Sequence, residues 1–154
     1  MHHNIKYNIP KWDKRFLELA EYISTWSKDE STKVGCVIVG PNREIRSIGY
    51  NGLPRYCKDN VDKRHKRPLK YKWFEHATRN AIYNAASFGA PLNDCTMYTQ
   101  FYPCCDCARA IVQSGILELV TWKPDWEHER WGDDFKIVHE MLNETNVEVV
   151  LYEK

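Results

Sequence analysis

The sequence predicts an α/β protein built in three layers, a mixed sheet of five strands between helices. Two observations carry this. Short apolar or β-branched runs alternate with stretches of helical periodicity, and the first two strand-like runs are joined by a tight turn, whereas the later ones are joined by helices. The 154 residues suit one domain over 1–154 with one core.

The elements follow in order. In KWDKRFLELAEYISTWS (11–27), apolar residues fall at 12, 16, 17, 19, 20, 23 and 26, which is helical spacing. VGCVIVG (34–40) reads as a buried strand, PNRE (41–44) as a turn and IRSIGY (45–50) as the hairpin partner. Residues 51–72 contain Gly, two Pro and many basic residues, and read as an irregular loop. A second helix is expected from His76 to about Ser87, broken by FGAPLND, and CTMYT (95–99) reads as a strand. A third helix runs from near Cys104 to Gln113, followed by a strand over 116–122, a loop through KPDWEHERWGDD, a helix over 135–144 and a strand over 147–153. The resulting order is α-β-β-α-β-α-β-α-β.

Composition excludes several classes. Hydrophobic residues make up 43% of the chain and charged residues 28%, with a net charge of +1, so no strong overall field marks a nucleic-acid or membrane binder. No apolar run approaches 18 residues, and the polar start MHHNIKYNIP lacks the apolar region of a secretory signal. The six cysteines are expected to be reduced thiols of a cytoplasmic protein, some on a metal, rather than disulfides. Six Trp and nine Tyr supply core and, in part, a pocket wall for a flat ring.

YPCCDCARA (102–110) holds the strongest chemical signal. Cys104 and Cys107 share one helix face at i and i+3, at a helix start where free N–H groups and the helix dipole favour thiolate. His76 stands at the start of the preceding helix. If the two helices pack side by side, their N-termini point to the same sheet edge, where α/β folds place ligands. His76, Cys104 and Cys107 then meet on one zinc ion, leaving a position for water. Against this, a lone CxxC can be redox-active and a lone His is more often a cap; the joint pattern favours zinc. Cys105 points elsewhere as a packing residue. Cys57 and His65 are candidates only for a separate site.

At these residues the chain resembles the zinc-dependent cytidine/deoxycytidylate deaminase superfamily, whose signature is H-x-E followed by P-C-x-x-C. Here it reads His76-Ala77-Thr78, then Pro103-Cys104-Cys105-Asp106-Cys107. SKDESTKVGCVIVG, IGYNGLPR, RNAIYNAA and CCDCARAIVQSGI are similar to the deoxycytidylate (dCMP) deaminase branch, and together cover most of residues 12–150. The resemblance implies a cytidine-deaminase-like fold with a five-stranded sheet. It also implies zinc-dependent hydrolysis of dCMP to dUMP and ammonia, with the Glu of H-x-E as proton carrier. Thr78 occupies that position, and its hydroxyl does not titrate near pH 7. Three explanations arise: a variant of an active enzyme, a silent nucleotide-binding homologue, or substitution by another carboxylate, Glu75 being nearest.

The resemblance further assigns Asn51 to the sugar, the Ala77 backbone N–H to the base O2, and Lys28, Ser31, Thr32 and Lys33 to the neighbourhood of the 5′-phosphate. Tyr102 and Trp126 are more readily structural aromatics than stacking platforms. KDNVDKRHKRPLKYK (58–72) carries seven Lys/Arg against two Asp. It is a solvated loop, a site for the effectors dCTP and dTTP in a hexamer, as the resemblance implies, or a binder of RNA phosphates as in tRNA adenosine deaminases. Nucleic acid is the less favoured partner, because GYNGLPR fits the nucleotide branch better.

Overall fold

The computed structural model describes residues 5–154; residues 1–4, which open the polar start, lie outside the described residues. The chain forms β1 (Ile5–Lys6), α1 (Lys11–Ser24), β2 (Gly35–Val39), β3 (Ile45–Tyr50), α2 (Lys70–Trp73), α3 (Ala77–Phe88), β4 (Thr96–Thr99), α4 (Cys105–Gln113), β5 (Glu118–Trp122), α5 (Gly132–Asn143) and β6 (Glu148–Tyr152).

The sheet has six strands rather than the expected five, in the order β1-β6-β5-β4-β2-β3. The extra strand is β1, whose Ile5 and Lys6 pair in parallel with Leu151 and Tyr152 of β6. β2 runs antiparallel to both β3 and β4, and β4, β5 and β6 are mutually parallel. The loop read across 51–72 also contains structure, a 3-10 turn at Asp62–His65 and the one-turn helix α2.

Strand side chains alternate between two cores. Val37, Val39, Tyr98, Val120 and Val150 face α1, which buries Phe16, Leu17, Ala20 and Ile23 against them. Cys36, Ile38, Met97, Leu119 and Leu151 face the other layer, which includes α3, α4 and α5. Each aliphatic side chain so buried contributes about 1.5–3 kcal/mol.

α3 lies unusually close to the sheet. Its inward residues Ala77, Ala81 and Ala85, four apart on one face, are buried with at most 1% exposure. The strand offers Gly49, where an added Cβ would come 2.4 Å from the Ala81 nitrogen and 2.5 Å from the Ala77 oxygen. Side chains of α3 also satisfy the edge strand: Asn84 Nδ2 donates to the Ile48 carbonyl, Asn80 Nδ2 to that of Tyr50, and Ser47 Oγ donates back to the Ala81 carbonyl.

β3, β4 and β5 run in the same direction, so α3, α4 and α5 all start beyond their C-terminal ends. That shared edge, the usual place for ligands in α/β sheets, gathers the candidate site. No helix among the described residues is long and apolar enough to cross a membrane.

Candidate metal centre and its cavity

His76 is the N-cap of α3 and Cys104 the N-cap of α4, with Cys107 in the first turn of α4. His76 Nδ1 lies 3.5 Å from Cys104 Sγ and 3.5 Å from Cys107 Sγ, and the three donor atoms all fall within 4.8 Å of one another. Tetrahedral zinc, with bonds of about 2.0–2.1 Å to nitrogen and about 2.3 Å to sulfur, requires N···S edges of about 3.5 Å. The donor set and its spacing therefore fit zinc. Both cysteines are buried. The hydrogen bond with Cys107 pulls the pKa of Cys104 down to about 4, and the same contact pushes that of Cys107 up.

The two helix starts are strapped together by charge. Arg79 Nε contacts Glu75 Oε1 at 2.6 Å, and its Nη1 lies 3.2 Å from Asp106 Oδ2 on α4. Glu75 Oε1 also accepts the His76 backbone N–H at 3.0 Å. Gly52 and Glu75 exchange two main-chain hydrogen bonds, of 3.1 and 2.8 Å, which join the loop after β3 to the residue before the histidine. Cys105 faces α5, where its N–H donates to Asp134 Oδ2.

A cavity of about 200 Å³ opens onto the trio. Its wall includes Asn51, Thr32, Ala77, Thr78 and Tyr102 as well as the three metal-binding candidates. Thr78, in the first turn of α3, is buried at 5% exposure. Glu75 does not line the cavity, and its carboxylate is engaged as described. Ala77 is the first residue of its helix, so its N–H has no intrahelical acceptor.

Asn51, on the cavity wall, is held by three hydrogen bonds of its side chain. Its Nδ2 donates to Asp29 Oδ2 and to the Thr32 carbonyl, while Oδ1 accepts the Val34 N–H. It thus pins the turn before β2, with one acceptor position of the amide oxygen to spare. Asp29 in that turn is 3% exposed and accepts Lys70 Nζ at 2.7 Å. Burial alone would raise the Asp29 pKa, but hydrogen bonds from Lys70, Ser31 and Thr32 outweigh it and lower the value. Ser31 Oγ receives a further bond from Lys70. Lys28 lies off the cavity wall, exposed and paired with Asp59. Lys33 is exposed and also off the wall.

Tyr102 packs edge-on against Trp126 and Phe135, and among the described residues its buried hydroxyl has no partner, whereas Trp126 does not line the cavity. Cys57 and His65 form no second cluster among the described residues. Sequence reasoning did not single out Arg67, Lys70, Tyr71, His128, Arg130 and Trp131, all on the wall. Trp131 sets its ring edge-on to His76 at 6.2 Å. His128 Nδ1 accepts the N–H groups of Arg130 and Trp131, shaping the entry to α5. The basic run at 58–72 was a signal for Arg67 and Lys70; nothing in the local sequence marks Arg130.

Residues 10–123 match the model of the cytidine and deoxycytidylate deaminase zinc-binding region. The chain belongs to the cytidine and deoxycytidylate deaminase family. Among its deaminase relatives is a protein of Aliivibrio fischeri described as an uncharacterized deaminase in the luxG 3′ region, 38% identical over 144 residues that cover 92% of this chain and 93% of that one. Mouse deoxycytidylate deaminase is 37% identical over 115 residues, and the match spans 71% of this chain but only 64% of the mouse protein. In structure, the deaminase fold is shared with the dCMP deaminase of cyanophage S-TIM5 in complex with dCMP and dUMP. The TM-score is 0.74 at 22% identity, over 94% of this chain and 99% of that one. A tRNA wobble-position deaminase shares the fold at a TM-score of 0.58 and 17% identity, over 92% of this chain and 98% of that one.

Proposed function

We propose that this chain is a zinc-dependent deoxycytidylate deaminase, converting dCMP and water into dUMP and ammonia, with turnover slowed by Thr78. The observation that carries the reading is the trio of His76, Cys104 and Cys107, with N···S separations of 3.5 Å, at a cavity walled by aromatic and basic residues. Family membership and the similarity to deaminases that act on this nucleotide support it.

His76, Cys104 and Cys107 would hold the zinc. When bound there, zinc acts as a Lewis acid that makes water a nucleophile near neutral pH. The Ala77 N–H, free at the helix start, donates to the cytosine O2 and orients the ring. Asn51 keeps the 29–34 turn in place and offers its remaining acceptor position to a sugar hydroxyl. Thr32 borders the ligand, and Ser31 acts through Lys70. Thr78 lines the cavity, but its hydroxyl cannot carry a proton to N3 and then to the departing amine, as a carboxylic acid would.

Loss of a general acid–base typically costs about 10²–10⁴ in rate. The test is to assay zinc-loaded protein on dCMP beside Thr78→Glu. The Glu variant is expected to be faster by that factor; equal rates would refute the role given to this position. A silent nucleotide-binding homologue is the second reading, favoured by Thr78 itself. It would gain ground if Thr78→Glu bound dCMP without turnover. A hexamer regulated by dCTP and dTTP, in the cytoplasm, belongs to the first reading, and sedimentation and assays with both effectors test it.

A further inference from the structure

The two helices that carry the candidate ligands begin without an ordinary cap. A helix start leaves its first N–H groups unpaired, and the N-cap side chain is the usual acceptor for one of them. Here the N-cap residues are His76 for α3 and Cys104 for α4, and neither side chain caps its own helix. Imidazole and sulfur are turned toward each other instead. Support for both starts comes from a third helix.

That helix is α5, which supplies none of the three candidate ligands. Trp131 is its N-cap and Asp134 its third residue. Asp134 Oδ2 accepts the Cys105 N–H at 3.1 Å, and Cys105 Sγ–H donates to the Asp134 carbonyl at 3.7 Å. Cys105 is the first residue of α4 and lies between the two thiol ligands, so α5 provides the cap that Cys104 does not. Three residues earlier, Trp131 sets its ring edge-on to His76, at an interplanar angle of 83°. His76 Nδ1 faces the two sulfurs, and the other ring nitrogen makes no hydrogen bond among the described residues. A metal-binding histidine is commonly fixed by a hydrogen bond at that second nitrogen; here the indole meets the ring. Trp131 is itself held, since its N–H donates to His128 Nδ1 at 3.2 Å and its carbonyl accepts the Phe135 N–H at 2.9 Å. Residues three apart share one helix face, so one turn of α5 touches both ligand-bearing starts.

We propose that Trp131 and Asp134 are positioning residues of the metal centre. The indole fixes the plane of the His76 ring, and the carboxylate fixes the turn that presents Cys104 and Cys107. The first turn of α5 thereby sets how tightly, and in what geometry, the trio takes a metal. The proposal rests on the zinc reading above and adds the residues that shape its ligand set.

The experiment measures metal binding rather than turnover. Zinc affinity is read by competition with a chromogenic chelator, and ligand geometry by the absorption of Co²⁺ bound in place of zinc. Trp131→Leu and Asp134→Ala should each weaken zinc by about tenfold to a hundredfold and alter the Co²⁺ spectrum. Trp131→Phe and Asp134→Asn, which keep an aromatic edge and an acceptor oxygen, should stay close to parent. Val138→Ala is the control, because Val138 is buried in the same helix and off the cavity wall. It should lower the melting temperature and leave both metal readouts unchanged. Where Trp131→Leu or Asp134→Ala does not fold, Trp131→Met and Asp134→Ser carry the same expectations. Three results overturn the positioning role and leave the zinc reading intact: metal readouts at parent values in either loss variant, equal losses in the Phe and Asn variants, or equal changes in Val138→Ala. Parent protein that takes up no zinc overturns both.

Discussion

Cys107 is 2% exposed and sits 3.5 Å from the His76 ring nitrogen, so replacing its sulfur removes a soft ligand for which the described residues offer no substitute beyond the trio itself. Cys107→Ser is expected to lose most bound zinc, as elemental analysis of purified protein would show, whereas Cys105→Ser should retain it. These positions were legible in the sequence because each lies at a helix start and two are a single turn apart, a pattern that local spacing encodes. Asn51, Asp29 and Lys70 were not legible as a unit. Their bonds join residues 22 and 41 positions apart, and no periodicity announces such a network. The same holds for Arg67 and Arg130, whose guanidinium groups only the folded chain brings to the ring of Tyr71.

At the level of elements, the approach of α3 to β3 fixes where the histidine stands. Gly49→Ala would drive a methyl group to 2.4 and 2.5 Å from backbone atoms of α3, and backbone cannot yield as a side-chain tip can. We expect a loss of about 1–3 kcal/mol in chemical denaturation, together with weaker zinc binding because His76 is displaced. Lys70→Met leaves Asp29 buried without its cation; breaking such a pair costs about 3–5 kcal/mol, again measurable by denaturation. The sequence reading placed α1, α3, α4 and the five longer strands to within a few residues, because each has clear apolar spacing. It missed β1, a two-residue strand with one polar member, and α2, a single turn inside a basic run. It began the last helix late, because the Gly and Asp residues that open it read as turn chemistry.

For the molecule as a whole, one ion would join two helices that pack on the same face of the sheet. Binding to the folded state alone stabilises it by mass action, so a chelator should lower the melting temperature of zinc-loaded protein but not that of Cys107→Ser. Acid should act through Asp29. Its folded pKa is lowered, so its contribution is fully present above the unfolded value of about 3.9 and is lost as pH falls through the folded one. The stability difference between parent and Asp29→Ala should accordingly shrink below about pH 4. The three-layer arrangement was legible from the order of elements, whereas the sixth strand depended on a pairing that no local pattern reveals.

The paired hydrogen bonds between Gly52 and Glu75 tie the loop after β3 to the residue that precedes His76. A displacement of that loop would therefore be passed along the backbone to His76.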